Sequence, residues 1–178
     1  MDKIVAKPDA SAYAHQIIGT GDGIKAASAK LTLDADVAIR VTFQITGDKD
    51  VSEYRFLIDG EEAAPVADSG RYYIQLDGIA ASKFDETHIF SVGDLAVHYS
   101  VLSYVNMVHN SNSPENLVNL INALYAYYAA TEAYVNYTPN SKTPPARAAF
   151  SLLDFMEICA TMVMSNQFPE EIERRTIC

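Results

Sequence analysis

The stretch "VAIRVTFQI", residues 37–45, constrains this chain more than any other. Val37, Ile39, Val41, Phe43 and Ile45 alternate with Ala38, Arg40, Thr42 and Gln44. Successive strand residues point to opposite sides, so this period of two predicts a β-strand with one apolar face in a core and one polar face in water. Such a strand needs antiparallel neighbours and a second layer to cover its apolar face. The flanking sequence supplies them. "AKLTL" precedes it across a "DAD" turn. "EYRFLI" (53–58) reads as a third strand, and "DGEE" (59–62) turns the chain, Asp-Gly being suited to a type I′ hairpin turn. "AAPV" then returns, with Pro65 marking an edge strand because proline has no N–H to give a ladder. "DSG" leads into "RYYIQL" (71–76), and "HIFSV" (88–92) and "LAVHYS" (95–100) flank a "GD" turn.

About seven short strands therefore fall between residues 29 and 100, each bounded by Gly, Asp or Pro. That spacing predicts an antiparallel β-sandwich of immunoglobulin or fibronectin type. The chain has no Trp, which excludes the Cys–Trp–Cys core of an antibody domain. Residues 1–28 are weakly patterned and read as an N-terminal extension. Their "GTGDG" is too short for a phosphate loop, and no Lys-Ser/Thr pair follows it.

After residue 100 the period becomes helical. Val101, Leu102, Val105 and Val108 share one face, and Leu117, Leu120, Ile121, Leu124, Tyr125 and Tyr128 make a second continuous stripe. Ser113 is placed to cap the second helix, with Pro114 as its first residue and Glu115 in its first turn. The short "NSNS" link predicts an antiparallel helical hairpin over 101–138, packed on the sandwich. Residues 139–148 are Pro-rich and polar and read as a linker. Residues 149–178 form a tail that opens apolar on nearly every side, which predicts a further helix buried against this domain or a partner, a homodimer included. The expected class is thus α+β: an immunoglobulin/fibronectin-like sandwich, a C-terminal helical hairpin and a further apolar helix.

"NALYAYYAATEAYVNY" (122–137) poses a choice. Tyr125, Tyr127, Tyr128, Tyr134 and Tyr137 could present rings to a sugar, since tyrosine offers a flat apolar face and a wet hydroxyl. Packing is the favoured reading, because Tyr125 and Tyr128 extend the Leu/Ile stripe and the alanines allow close approach of another element. Tyr127 lies off the stripe and is expected at the surface. A glycan-binding alternative would use exposed Tyr72, Tyr73 or Tyr127, with at least two rings coplanar on one exposed face.

Charge removes several functions. The formal net charge is −10, and no local cluster of Lys or Arg is expected to offset it, so binding to nucleic acid or to anionic membranes is not expected. No run of 18 apolar residues predicts a membrane span, and the first residues lack the basic-then-apolar pattern of a signal peptide. Cys159 and Cys178 are the two cysteines, so no disulfide framework is expected, and Cys159 sits in an apolar segment with no adjacent base. His15, His88, His98 and His109 are scattered, although His88 and His98 lie on the two sides of one hairpin. No cofactor is expected. Calcium is the metal with hard oxygen ligands on offer, from Asp34 and Asp36 at one end of a strand and Asp48 and Asp50 at the other. Asp is also a common turn residue for backbone reasons alone, and that reading is favoured. No catalytic motif is present.

The order of "AKLTLDADVAIRVTFQI", "RYYIQLDGIAASKFDETHIFSV", "HYSVLSYVNMVHN" and "SPENLVNLINALYAYYAATEAYVNY", over roughly residues 27–138, resembles an accessory module of large secreted and cell-surface proteins of gut Firmicutes, ruminococcal and clostridial in character. In its closing helix that family has a Tyr-Gly-Ala-Ala run, where this chain has "YYAATEAY" with Tyr128 in place of the Gly. The resemblance implies a non-catalytic structural or interaction module of an extracellular or cell-surface bacterial protein, serving adhesion, spacing or assembly beside other domains of its parent. It transfers no catalytic residues. The carbohydrate-binding module is the alternative, and a small enzyme comes third.

The apolar tail yields a prediction. Deleting residues 139–178 is expected to expose an apolar patch or to break a dimer, read by light scattering and a melting curve. An unchanged monomer with an unchanged melting temperature would contradict it.

Overall fold

A computed structural model describes residues 10–136. The expected linker, the apolar tail with Cys159 and Cys178, and Tyr137 lie outside them. The described chain is α+β, with nine strands in two antiparallel sheets and two helices. In chain order these are β1 (Gln16–Ile18), β2 (Ile24–Leu33), β3 (Val37–Ile45), β4 (Phe56–Ile58), β5 (Glu61–Glu62), β6 (Val66–Asp68), β7 (Arg71–Leu76), β8 (His88–Val92), β9 (Leu95–Tyr99), α1 (Val101–Asn110) and α2 (Glu115–Val135). One sheet has the order β1-β9-β8-β4-β5 and the other β2-β3-β7-β6.

The period-two pattern of β3 is realised as read. Ile39, Val41 and Phe43 are fully buried, and Arg40, Thr42 and Gln44 alternate with them. The apolar faces of the two sheets share one core. Phe43 of β3 meets Phe56 of β4 edge-on at 5.8 Å, and Ile74, Phe90, Val92, Val97 and Tyr99 belong to the same cluster. Burying each such side chain contributes about 1.5–3 kcal/mol. α1 extends this core through Val101, Leu102, Tyr104, Val105 and Val108. Its start is fixed by reciprocal bonds, Ser103 N–H to Ser100 Oγ and Ser100 N–H to Ser103 Oγ, both 3.0 Å.

Several boundaries differ from the sequence reading. The sheets begin before residue 29: β1 pairs with β9, and β2 starts at Ile24. A β-bulge between Ala26 and Ser28 breaks the alternation there, which hid the strand. "GTGDG" is the turn between the sheets. Gly23 (φ +72) carries a carbonyl that accepts from Thr46 N and Gly47 N, and a Cβ on Gly47 would sit 3.0 Å from Gly23 Cα, so both positions need a bare backbone. The strand expected over 53–58 begins at Phe56, because Glu53 belongs to a 3-10 turn, Val51–Glu53, that Asp50 caps with help from Glu53. The Asp59-Gly60 turn has φ of +51 and +88, as a type I′ turn requires, but its return strand is Glu61–Glu62. Pro65 falls in the crossing to the second sheet, directly before the edge strand β6. Ser113 does not open α2 by capping. Pro114 occupies the cap position with no side-chain bond, and its carbonyl accepts from Val118 N at 3.1 Å.

The Tyr/Ala helix is explained by packing. Leu117, Leu120, Ile121, Ala123 and Leu124 are buried, Tyr128 stacks on buried Phe84 at 6.3 Å, and Tyr125 lies 5.9 Å from Tyr128. Tyr134 is 80% exposed.

Two phenols carry a pH dependence. Burial, with Tyr104 close by, pushes the Tyr99 hydroxyl far above its ordinary value, and burial together with nearby Asp85 pushes Tyr128 up to about 12. An unfolded tyrosine titrates near 10. The stability these two add is therefore complete below about pH 10 and is lost as pH rises toward their folded values. The Tyr99 hydroxyl is buried with no hydrogen-bond partner among the described residues. A buried orphan of this kind costs about 1–3 kcal/mol. Tyr99→Phe is expected to melt at or above the parent temperature at pH 7 and to shift alkaline unfolding to higher pH. A variant melting several degrees lower, with its alkaline transition unmoved, would contradict this.

Candidate functional site

The three tyrosines singled out from sequence do not converge. Along β7 buried Ile74 marks the inner face, so Tyr72 points inward, opposite Phe43 and Ala67, while Tyr73 points outward. Neighbours on one strand cannot present coplanar rings. Tyr127 is on α2, half-buried and packed against the core rather than at the surface as expected.

The four aspartates also stay apart. Asp34 and Asp36 lie in the turn between β2 and β3, and Asp48 and Asp50 lie beyond the far end of β3, about 26 Å away by strand rise. Asp50 is committed to its 3-10 turn, accepting from Ser52 N at 3.0 Å and from the Ser52 hydroxyl at 2.7 Å. Those bonds hold its carboxyl below the usual range. Lys49 beside it pairs with Asp22, which lowers the Asp22 carboxyl and raises the lysine. Among the described residues no group of three His, Cys, Asp or Glu could hold a metal ion.

His88 and His98 fall on opposite faces of their hairpin, since His88 stands across from Tyr99 and His98 from Ile89. His88 Nδ1 lies 2.7 Å from Asp59 Oδ2, and Asp59 Oδ1 accepts from Ile89 N at 2.7 Å, so this carboxylate ties the β4–β5 turn to β8. His15 borders a small, shallow hollow whose other lining residues are Ile17, Ala26, Ala27, Ser28, Ala29, Val41 and Val97. Apart from His15 and Ser28 the lining residues are apolar, and no second titratable group joins them.

The pairing of β2, β3 and β7 builds a surface that sequence reading missed. Residues directly opposite in a ladder share a face. Lys30, Arg40 and Gln75 form one row across these strands, Ser28, Thr42 and Tyr73 the next, continued by Val66 of β6, and Lys25 stands opposite Gln44 beyond them. Arg71 lies on the same side as Tyr73, two residues along the strand. The three strands contain no Asp or Glu. Acids border the layer at its ends: Asp34 and Asp36 in the β2–β3 turn, Asp68 opposite Arg71, and Asp77, which accepts from Gln75 Nε2.

Ion pairing separates these cations from the rest. Lys49, Arg55 and Lys83 each sit beside a carboxylate, of Asp22, Glu62 and Glu86. Lys25, Lys30, Arg40 and Arg71 have none among the described residues. The expectation that no basic cluster offsets the acidic average is therefore corrected. Its members lie up to 46 positions apart and meet only through the sheet register. The local signal, Lys or Arg in strands that carry no acid, does not by itself bring the cations together. Arg40 is held in place: its Nε donates to Gln75 Oε1 at 2.7 Å, and its guanidinium carbon sits 4.1 Å from the centre of the Tyr73 ring.

No protein-family model, curated protein or solved structure matches this chain. Among the described residues no helix is long and apolar enough to cross a membrane.

Proposed function

We propose that this chain is a non-catalytic interaction module of an extracellular or cell-surface bacterial protein, serving adhesion, spacing or assembly beside other domains of its parent. In this reading the two sheets are an immunoglobulin- or fibronectin-like sandwich. The helices 101–110 and 115–135 are an antiparallel hairpin that closes it. The observation that supports the proposal is the outer face of the β2-β3-β7 layer, where four cations stand without carboxylate partners among the described residues, in a chain of net charge −10. A charge left unpaired on a rigid sheet is available to a partner.

Carbohydrate binding is the second reading. Tyr73 supports it, being the member of the expected set that lies on this face, with its ring held under Arg40. Tyr72 and Tyr127 do not belong to that reading.

Chromatography tests the proposal. At an ionic strength near 0.1 M the Debye length is about 10 Å, so a local patch acts without the distant acidic turns. The chain is expected to be retained on a carboxymethyl cation exchanger at pH 7 despite its sequence pI near 4.7. The Lys25→Gln/Lys30→Gln variant should run through with an unchanged circular dichroism spectrum. A wild-type chain found entirely in the flow-through would contradict the reading.

A further inference from the structure

We infer that the outer face of the β2-β3-β7 layer docks a carboxylated polysaccharide, with Arg40 as the fork that receives a uronate carboxylate. This rests on the reading of that face as the interaction surface. Gln75 takes the Arg40 Nε and is itself tied to Asp77, while Tyr73 lies under the guanidinium. Nothing described takes the two terminal amino groups of Arg40. Two terminal N–H donors in a fixed plane match the two oxygens of a carboxylate. Lys30 stands directly across from Arg40, about 5 Å away by strand spacing, and adds a second positive charge to the same row.

The remainder of the face fits a sugar chain better than a protein or a nucleic acid. Between the Lys30–Arg40 row and the Lys25–Gln44 row lie the hydroxyls of Ser28, Thr42 and Tyr73. Arg40 and Gln44 are four positions apart along β3, about 13 Å. Cationic rows at that interval, with hydroxyl and amide groups between them, suit a polymer bearing one anion per sugar or fewer. A protein partner would look for an apolar centre, and the cores of protein interfaces are depleted in Lys. Here the exposed large apolar side chain is Val66, at the margin. Duplex DNA carries a charge every ~1.7 Å, and the acidic turns around this face repel so dense a polyanion more than a sparse one. The same argument places a heavily sulfated glycan behind a uronate.

The test is affinity electrophoresis of the full chain at about 0.1 M salt with EDTA, through gels containing polygalacturonate, dextran sulfate or neutral dextran. Titration with a fluorescent oligo(dT) strand runs alongside. Polygalacturonate is expected to retard the chain and neutral dextran to leave it unmoved. Arg40→Lys keeps the charge but loses the fork, and should weaken the polygalacturonate interaction about tenfold while cation-exchange retention persists. Lys30→Gln, which removes no described contact, should weaken both. Retention on the exchanger without retardation by polygalacturonate would overturn the uronate inference and leave the interaction surface standing. Loss of both would overturn the two together. Tighter binding to dextran sulfate or oligo(dT), or an Arg40→Lys variant that binds like the parent, would also overturn it.

Discussion

Burial of one face of β3 organises the molecule. Ile39, Val41 and Phe43 are removed from water by the opposite sheet, where Phe56, Phe90 and Val97 meet them. The same burial points Arg40, Thr42 and Gln44 outward, because a strand residue has only two sides to choose from. Core and candidate surface are thus two consequences of one alternation. A slip of one residue in the β2–β3 or β3–β7 register would put Arg40 into the core and Val41 into water, so the apolar face enforces the position of the cations.

Charge is distributed by the same logic. Acidic residues collect in the turns, where Asp caps, bends and anchors backbone: Asp50 on its 3-10 turn, Asp59 on β8, Asp22 against Lys49. The strands β2, β3 and β7 carry cations and no acids. A chain that is acidic on average therefore has one layer of opposite character. Average charge describes how it meets a distant polyanion, and the sheet face describes contact within a Debye length.

What could be read from sequence was whatever is local. The β3 alternation, the Asp59-Gly60 turn and the Leu/Ile stripe of α2 depend on residues within a few positions of each other, and the structure reproduces them. β1 and the start of β2 were hidden because one is three residues long and the other contains a bulge. The opposite orientation of Tyr72 and Tyr73 is legible from the strand period, which allows only one of the two on an outer face. The cationic face was not legible, because it needs the pairing of Lys30 with Arg40 and of Arg40 with Gln75. Tyr128 shows the reverse case, where a helical stripe foretold packing and the partner, Phe84, came from a loop remote in sequence.

Amide hydrogen exchange along β3 tests the central claim most directly, that the cations stand on a bed as rigid as the core beneath it. β3 is paired on both sides, so the amides of Arg40 and Thr42 are expected to exchange with those of Ile39, Val41 and Phe43 only through global unfolding, with the same denaturant dependence. Exchange of the Arg40 and Thr42 amides by local opening, several kcal/mol below the global free energy, would contradict it.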